Sequence, residues 1–247
     1  MRFGATLVGV VAEEPDDTLA AAIDRAFREV GAIDDAYARG ELDDAGWYRA
    51  MAAIIAPAYT RAPTVQGGSG HGGTAEDWEW SRGLVADAID RSGTFLDVGC
   101  ANGLLMESVE RWAKERRFDV VAHGLDIAPE LADLAVRRVP MFQGRVQAGN
   151  ALGFRPTKRF DLVRTGLEYV PRPRRRALLT WLLDEVVTEG GRLIIGKHNE
   201  RVELRDVERD LERWGFFVTG RAERAHRKEP RLAYRVCWID APPRDGR

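Results

Sequence analysis

Apolar residues recur at helical spacing near the start of the chain: Leu19, Ile23, Phe27 and Val30, then Trp47, Met51, Ile54 and Ile55. That spacing gathers them on one face and predicts amphipathic helices within residues 17–58. Asp43 and Asp44 ahead of Trp47 predict a helix start, and Pro57 predicts its stop. Over residues 59–75 the pattern gives way to Gly, Pro, Ser and Thr, the composition of a flexible connector. A further helix is predicted over residues 76–91, carrying Trp78 and Trp80.

From Thr94 onward short apolar runs alternate with helical patterns. TFLDV, residues 120–126, RVQAGN, FDLVRT and RLIIGK read as strands, with helices over 104–117, 129–138, 174–188 and 202–214. Gly190 and Gly191 punctuate the chain before RLIIGK. Two closing β-rich runs, FFVTGRAERAH and RLAYRVCWI, have no helix between them and predict a hairpin. The expected fold class is α/β: a doubly wound, mostly parallel seven-stranded sheet with a C-terminal antiparallel hairpin, plus an N-terminal helical extension. The corresponding domain division is a helical extension or lid over 1–62, a Gly-rich connector over 63–75 and the sheet domain over 76–247.

Composition narrows the function classes. The chain has 247 residues, 37 basic against 39 acidic, and a net charge of −2. Such a balance supplies no general attraction to nucleic acid or to an anionic membrane. The apolar run at residues 3–12 is short, is followed by acids and lacks a basic lead, so it does not read as a signal peptide. The two cysteines, Cys100 and Cys237, lack the spacing of a disulfide framework or metal site and fit reduced thiols in a cytoplasmic protein.

The strongest local signal is FLDVGCANGLL, residues 95–105, in which an apolar strand enters a glycine turn and an amphipathic helix follows at once. Backbone N–H groups at such a helix start can face a carboxylate or phosphate; the simpler reading is a tight strand–helix turn. Ala101 stands where a dinucleotide fingerprint needs its middle glycine. Asp97, two residues before the first glycine, suits a ligand ammonium group. Asp126 ends the second strand and can accept both hydroxyl hydrogens of a ribose, while Asn150 ends the third and can pair with an adenine edge. A strand-end acid and a turn former are the commoner fates of such residues. Their occurrence in register at three successive strand ends favours a ligand site.

Over residues 76–240 the chain resembles the class I S-adenosylmethionine-dependent methyltransferases. LDVGCANG is similar to that family's first motif, with Ala101 replacing the middle glycine; GLDIAPE is similar to its ribose-binding acid motif and GNAL to its adenine-contacting one. FDLVRTGLEYV and EGGRLIIG resemble its fourth strand and the entry to its fifth. The resemblance implies S-adenosylmethionine as cofactor, with Asp97, Gly99, Cys100, Ala101 and Gly103 near its methionine portion. It likewise implies Asp126 and Ile127 at the ribose, Asn150 and Ala151 at the adenine, and Thr165 at the fourth strand end.

The methyl acceptor is expected to be a small molecule, modified at oxygen or nitrogen. TGLEYV lacks the Asn/Asp-Pro-Pro-aromatic ending used on nucleobase amines, and Glu168 alone near that strand end makes no metal site. Glu168, Tyr169 and Trp78 are the expected acceptor contacts. His198, just past the predicted fifth strand, and His71, in the stretch QGGSGHGG, are candidate general bases. His123 reads as packed within a strand and His226 as distal. The run PRPRRR, residues 171–176, either grips RNA phosphates or opens a solvated helix. An RNA or protein methyltransferase, or a cofactor-binding module without catalysis, are the alternatives. The N-terminal helices are a candidate lid and a candidate homodimer surface.

Overall fold

A computed structural model describes residues 19–202 and 206–243, with side chains described from Arg28 onward except at 198–201 and 206. The apolar run at residues 3–12 lies outside the described residues. Seven strands form one sheet: β1 (Gly93–Val98), β2 (Val120–Asp126), β3 (Val146–Ala148), β4 (Phe160–Thr165), β5 (Val187–Arg201), β6 (Gly220–Ala225) and β7 (Leu232–Asp240). Their order is β3-β2-β1-β4-β5-β7-β6. β1 to β5 are parallel neighbours, and β7 enters antiparallel between β5 and β6. The expected hairpin is therefore present.

Helices cover both faces. They are α1 (Leu19–Ala38), α2 (Asp44–Thr60), α3 (Ala75–Arg82), α4 (Leu104–Glu115), α5 (Pro129–Arg138), α6 (Arg175–Trp181) and α7 (Asp206–Arg213). Successive side chains of a strand point to opposite faces. Phe95, Leu162, Ile194 and Val236 accordingly pack with Trp78, Leu84 and Val109, while Leu96, Val163, Leu193 and Ile195 pack with Leu178, Leu179 and Leu211. Burial on both faces is why the central strands read as nearly continuous apolar runs.

Several boundaries differ from the sequence expectation. Pro57 does not stop α2, which runs to Thr60: the Arg61 N–H donates to the Pro57 carbonyl and the Thr60 hydroxyl to that of Ala56, at 2.8 Å, closing the last turn. The helix expected over 76–91 is α3 alone, started by a Thr74–Asp77 capping box and ended at Gly83, where a tighter turn over Gly83–Ala88 takes over. The helix expected over 174–188 ends in a widened π turn, Leu182–Val186, and β5 begins directly at Val187. Gly190 and Gly191 fall inside this strand, at its register shift against β4, rather than ahead of it. A Cβ on Gly191 would lie 2.8 Å from the Asp161 carbonyl oxygen, so only glycine permits that backbone approach. His198 is consequently within β5, not past its end.

Candidate functional site

β1, β2 and β4 end side by side, Asp97 pairing in register with Gly124 on one flank and Arg164 on the other. The chain leaves β1 through a turn closed by glycines at positive φ: Gly99 at 76° and Gly103 at 73°, with Ala101 between them also left-handed at 47°. The Gly99 N–H donates to the Leu125 carbonyl at 2.7 Å, tying the turn to β2. Asn102 orders it further, its side-chain oxygen accepting from the Leu104 N–H at 3.1 Å at the start of α4.

Asp126 joins two turns. One carboxylate oxygen accepts from the Ala101 N–H at 2.9 Å and the other from the Ala128 N–H at 3.0 Å. Burial raises its carboxyl above the usual range, opposed by these backbone donors. Each oxygen retains lone-pair capacity toward the cavity that it lines. Asn150 lines the same cavity; its side-chain oxygen accepts from the Leu152 N–H at 3.0 Å, leaving the amide NH2 as the end available to a ligand.

The roof of the cavity is α2. Trp47, Met51, Ile55 and Tyr59 succeed one another every fourth residue, so they share one face, and Tyr48 and Ala52 flank them. All six line the cavity, opposite Val98, Gly99, Ala101, Asp126, Ile127 and Asn150 on the sheet edge. The Gly-rich stretch also contributes: Ser69 is a lining residue, and Asn102 donates to the Val65 carbonyl at 2.7 Å. Gly68 packs so closely that a Cβ there would lie 2.7 Å from the Asn102 amide nitrogen.

The predicted site residues divide into three groups. Gly99, Ala101, Asp126, Ile127, Asn150, Ala151, Glu168 and Tyr169 are brought together around the cavity. Asp97, Cys100, Gly103 and Thr165 lie behind it as frame. Asp97 is 1% exposed and its carboxylate accepts from Arg164 Nη1 at 3.3 Å, so it does not present a free charge to a ligand ammonium. Burial, opposed by Arg164, pushes its carboxyl up to about 7. Cys100 is buried with its thiol raised by burial, and the Thr165 hydroxyl donates to the Gly166 carbonyl at 3.2 Å. Gly103 caps α4, where a Cβ would press to 3.2 Å against Ala135 and Phe142.

The third group stands apart from the cavity wall. Trp78 is a core residue whose indole N–H donates to the Ser108 hydroxyl at 3.0 Å, while Trp80 is exposed and donates to the Ala225 carbonyl. His71 is buried edge-on to Trp78, with ring centroids 5.7 Å apart, and its Nε2 has no hydrogen-bond partner among the described residues. Burial first, and the nearby Arg82 charge second, lower its imidazole to about 4. The side chain of His198 lies outside the described residues. His123 packs on Phe160 at 5.2 Å, and His226 accepts from the Lys228 and Glu229 N–H groups. Among the described residues no group of acidic, histidine or cysteine side chains could hold a metal ion.

The run PRPRRR has a structural role. Arg172 Nε lies 2.9 Å from Asp34, which also accepts from the Trp47 indole N–H at 2.9 Å. Arg174 pairs with Asp44 at 3.0 Å, and Asp44 accepts from the Tyr37 hydroxyl at 2.6 Å. Arg175 donates to the Leu167 carbonyl at 3.0 Å. These arginines fasten the α1–α2 pair to the segment after β4. Sequence reasoning missed this clamp, the α2 lining residues and Arg164; only the every-fourth-residue stripe of α2 carried a readable signal.

No family model and no curated protein matches the chain. Solved structures do match it. A S-adenosylmethionine-dependent methyltransferase from Thiobacillus denitrificans, in complex with S-adenosyl-L-homocysteine, superposes with a TM-score of 0.50 at 15% identity over 76% of this chain and 98% of its own. A protein from Listeria monocytogenes assigned to the class I S-adenosylmethionine-dependent methyltransferases gives 0.51 at 13% identity over 81% and 69%. The fold is that of the class I methyltransferases. The cyclase SpnF shares this methyltransferase fold with the chain, at a TM-score of 0.51 and 15% identity over 66% of this chain and 81% of its own. A methyltransferase fold therefore leaves the reaction to be argued from the site.

Proposed function

We propose that the chain is a S-adenosylmethionine-dependent methyltransferase acting on an oxygen or nitrogen of a small molecule. The observation that carries this reading is Asp126, a buried carboxylate held by two backbone N–H groups at the mouth of the glycine turn, with Asn150 beyond it in the same cavity. Asp126 suits the paired hydroxyls of a ribose and Asn150 the edge of an adenine. Apolar Val98, Leu125 and Ile127 supply surfaces for the nucleoside between them. When bound, S-adenosylmethionine supplies a methyl group on a positively charged sulfur.

The chain's own contribution is positioning and exclusion of water. α2 closes the cavity with Trp47, Tyr48, Met51 and Tyr59, a roof suited to a small apolar or aromatic acceptor rather than to a polymer. Among the described residues Glu168 is the only lining carboxylate besides Asp126, which favours it as the group facing the acceptor's proton. The pairing of Arg172 and Arg174 with acids of α1 and α2 supports a small-molecule acceptor over RNA. A cytoplasmic setting accords with two free buried cysteines, and among the described residues no helix is long and apolar enough to cross a membrane. A homodimer through α1 and α2 belongs to the same proposal.

Calorimetry with S-adenosylhomocysteine tests the cofactor assignment. Wild type should bind, and Asp126→Ala should bind at least about tenfold more weakly, the usual consequence of losing hydrogen bonds to a charged group. Equal affinity in both proteins would sink it. Transfer of a labelled methyl group to a metabolite extract but not to RNA supports the small-molecule acceptor, and the reverse result refutes it.

A further inference from the structure

Glu168, just past the end of β4, is an exposed carboxylate that lines the cavity and, among the described residues, makes no hydrogen bond or ion pair. Its carboxylate folds back over Gly166: a Cβ there would lie 2.6 Å from the carboxyl carbon and from both oxygens. Gly166 has φ −106° and ψ 159°, an extended conformation open to any residue, so its backbone does not require glycine. The missing side chain instead leaves the space in which the carboxylate rests. Two arginines that feel the charge of Glu168 are turned elsewhere. Arg164 donates to Asp97 and to the Tyr169 hydroxyl, and Arg175 to the Leu167 carbonyl.

The surrounding cavity surface suits a cation. Among the described residues no lysine, arginine or histidine lines it, and its two charged lining groups, Asp126 and Glu168, are both acids. Arg82 and Arg164 stand behind the wall, 9% and 4% exposed. Aromatic rings join the lining: Trp47, Tyr48 and Tyr59 from the roof, and Tyr169 beside Glu168. The face of such a ring attracts an ammonium group. Burial raises the Tyr59 and Tyr169 hydroxyls and the charge of Glu168 adds to the rise, so both rings share its end of the cavity. Asp126 is already held by two backbone N–H groups at the glycine turn. Glu168 is the lining acid that remains to meet a ligand cation.

We propose that Glu168 is the ammonium-binding carboxylate of this cavity, seated by Gly166, and that the methyl acceptor is an amine on a small apolar or aromatic body. The inference rests on the small-molecule methyltransferase reading above and selects nitrogen over oxygen within it. An ammonium has no lone pair, so the amine first releases one proton to water. The neutral nitrogen then bonds to the methyl carbon as the carbon–sulfur bond breaks, and the electron pair of that bond stays on sulfur. Positive charge thereby moves onto the nitrogen, where Glu168 stabilises it.

The test uses phenethylamine, phenethyl alcohol and phenylacetate, which share a ring and differ in charge. Their affinities are measured by calorimetry at neutral pH on protein saturated with S-adenosylhomocysteine. Wild type should bind the amine about tenfold or more tightly than the alcohol, the usual yield of a hydrogen bond to a charged group, and phenylacetate weakest. Glu168→Gln keeps the shape, removes the charge and should bring amine and alcohol to equal affinity. Gly166→Ala should do the same by displacing the carboxylate, and both variants should keep their affinity for S-adenosylhomocysteine. Equal affinities in wild type overturn the proposal, as does tighter binding of phenylacetate or failure of every probe to bind. An amine preference that survives Glu168→Gln overturns it too. So does a Glu168→Gln variant that loses S-adenosylhomocysteine as steeply as the amine, since the effect is then not specific to the acceptor. A preference lost in Glu168→Gln but kept in Gly166→Ala overturns the part given to Gly166. If wild type does not bind S-adenosylhomocysteine, the methyltransferase reading falls by itself, and the same comparison on ligand-free protein decides the ammonium site. Should Glu168→Gln fail to fold, Gly166→Ala carries the test, and a preserved amine preference there overturns the proposal.

Discussion

Arg164 of β4 reaches across to Asp97 of β1, its Nη1 lying 3.3 Å from the carboxylate and 2.8 Å from the Tyr169 hydroxyl oxygen to which it also donates. One guanidinium thus holds both the strand-end acid and the ring that packs on the glycine turn.

Asp97 should make stability fall as pH rises. Its carboxyl titrates at about 7 in the folded chain, above the ordinary carboxylate value of about 4, so between those limits the folded state holds the extra proton. The stabilisation is complete below about pH 4 and is lost as pH rises through about 7. Asp97→Asn imitates the protonated form and should gain melting temperature relative to wild type from acid to about pH 8. Parallel melting curves against pH for the two proteins would contradict this.

Ala101 occupies a left-handed conformation, φ 47°, at the position where the resembled motif carries glycine. A side chain there costs about 1–2 kcal/mol, partly offset by the lower entropy of the unfolded chain. Ala101→Gly should therefore raise unfolding free energy by about 0.5–1 kcal/mol in denaturant titrations. A loss of stability would show that the Ala101 methyl group contributes packing that outweighs the strain.

Gly99 is the opposite case. It has φ 76°, and a Cβ would sit 2.6 Å from the Tyr169 ring. Gly99→Ala should cost about 1–3 kcal/mol by displacing that ring. The displacement also breaks the Arg164–Tyr169 bond and should weaken S-adenosylhomocysteine binding, measured by calorimetry. Full stability together with wild-type affinity would refute it.

Asp34 anchors the roof through Trp47 and Arg172. Asp34→Ala leaves the buried indole N–H without its acceptor, a loss of about 1–3 kcal/mol. Limited proteolysis should cleave α1 and α2 faster in the variant while the sheet domain survives. Unchanged cleavage of those helices would show that the clamp is not what holds them.

The strand ends were legible in the sequence because their signals are local. FLDVG and GLDIAP each place an apolar run, an acid and a turn former within a few residues, and the structure keeps them adjacent. The Asp97–Arg164 pair was not legible, since it depends on the register of β1 against β4, the two residues being 67 positions apart in the chain. The α2 stripe was visible as an apolar face, but what it covers is decided by tertiary placement. Leu178 and Leu179 of α6 and Leu182 and Val186 of the π turn carry one continuous helical period. Nothing in that period announces that the backbone turns to strand at Val187 without an intervening loop.

The cavity draws its floor from turns between strands and its roof from one helix, residues 44–60, clamped from the side by Arg172 and Arg174. Floor positions such as Gly99 and Asp126 are bound by backbone geometry and tolerate few replacements. Roof positions such as Tyr48, Ala52 and Ile55 are ordinary helical sites, free to change size or polarity one at a time. On the function proposed above, ligand preference can therefore diverge within a single surface-laid helix while the floor beneath it stays fixed, and grafting that helix between proteins of this fold is the direct route to exchanging what they accept.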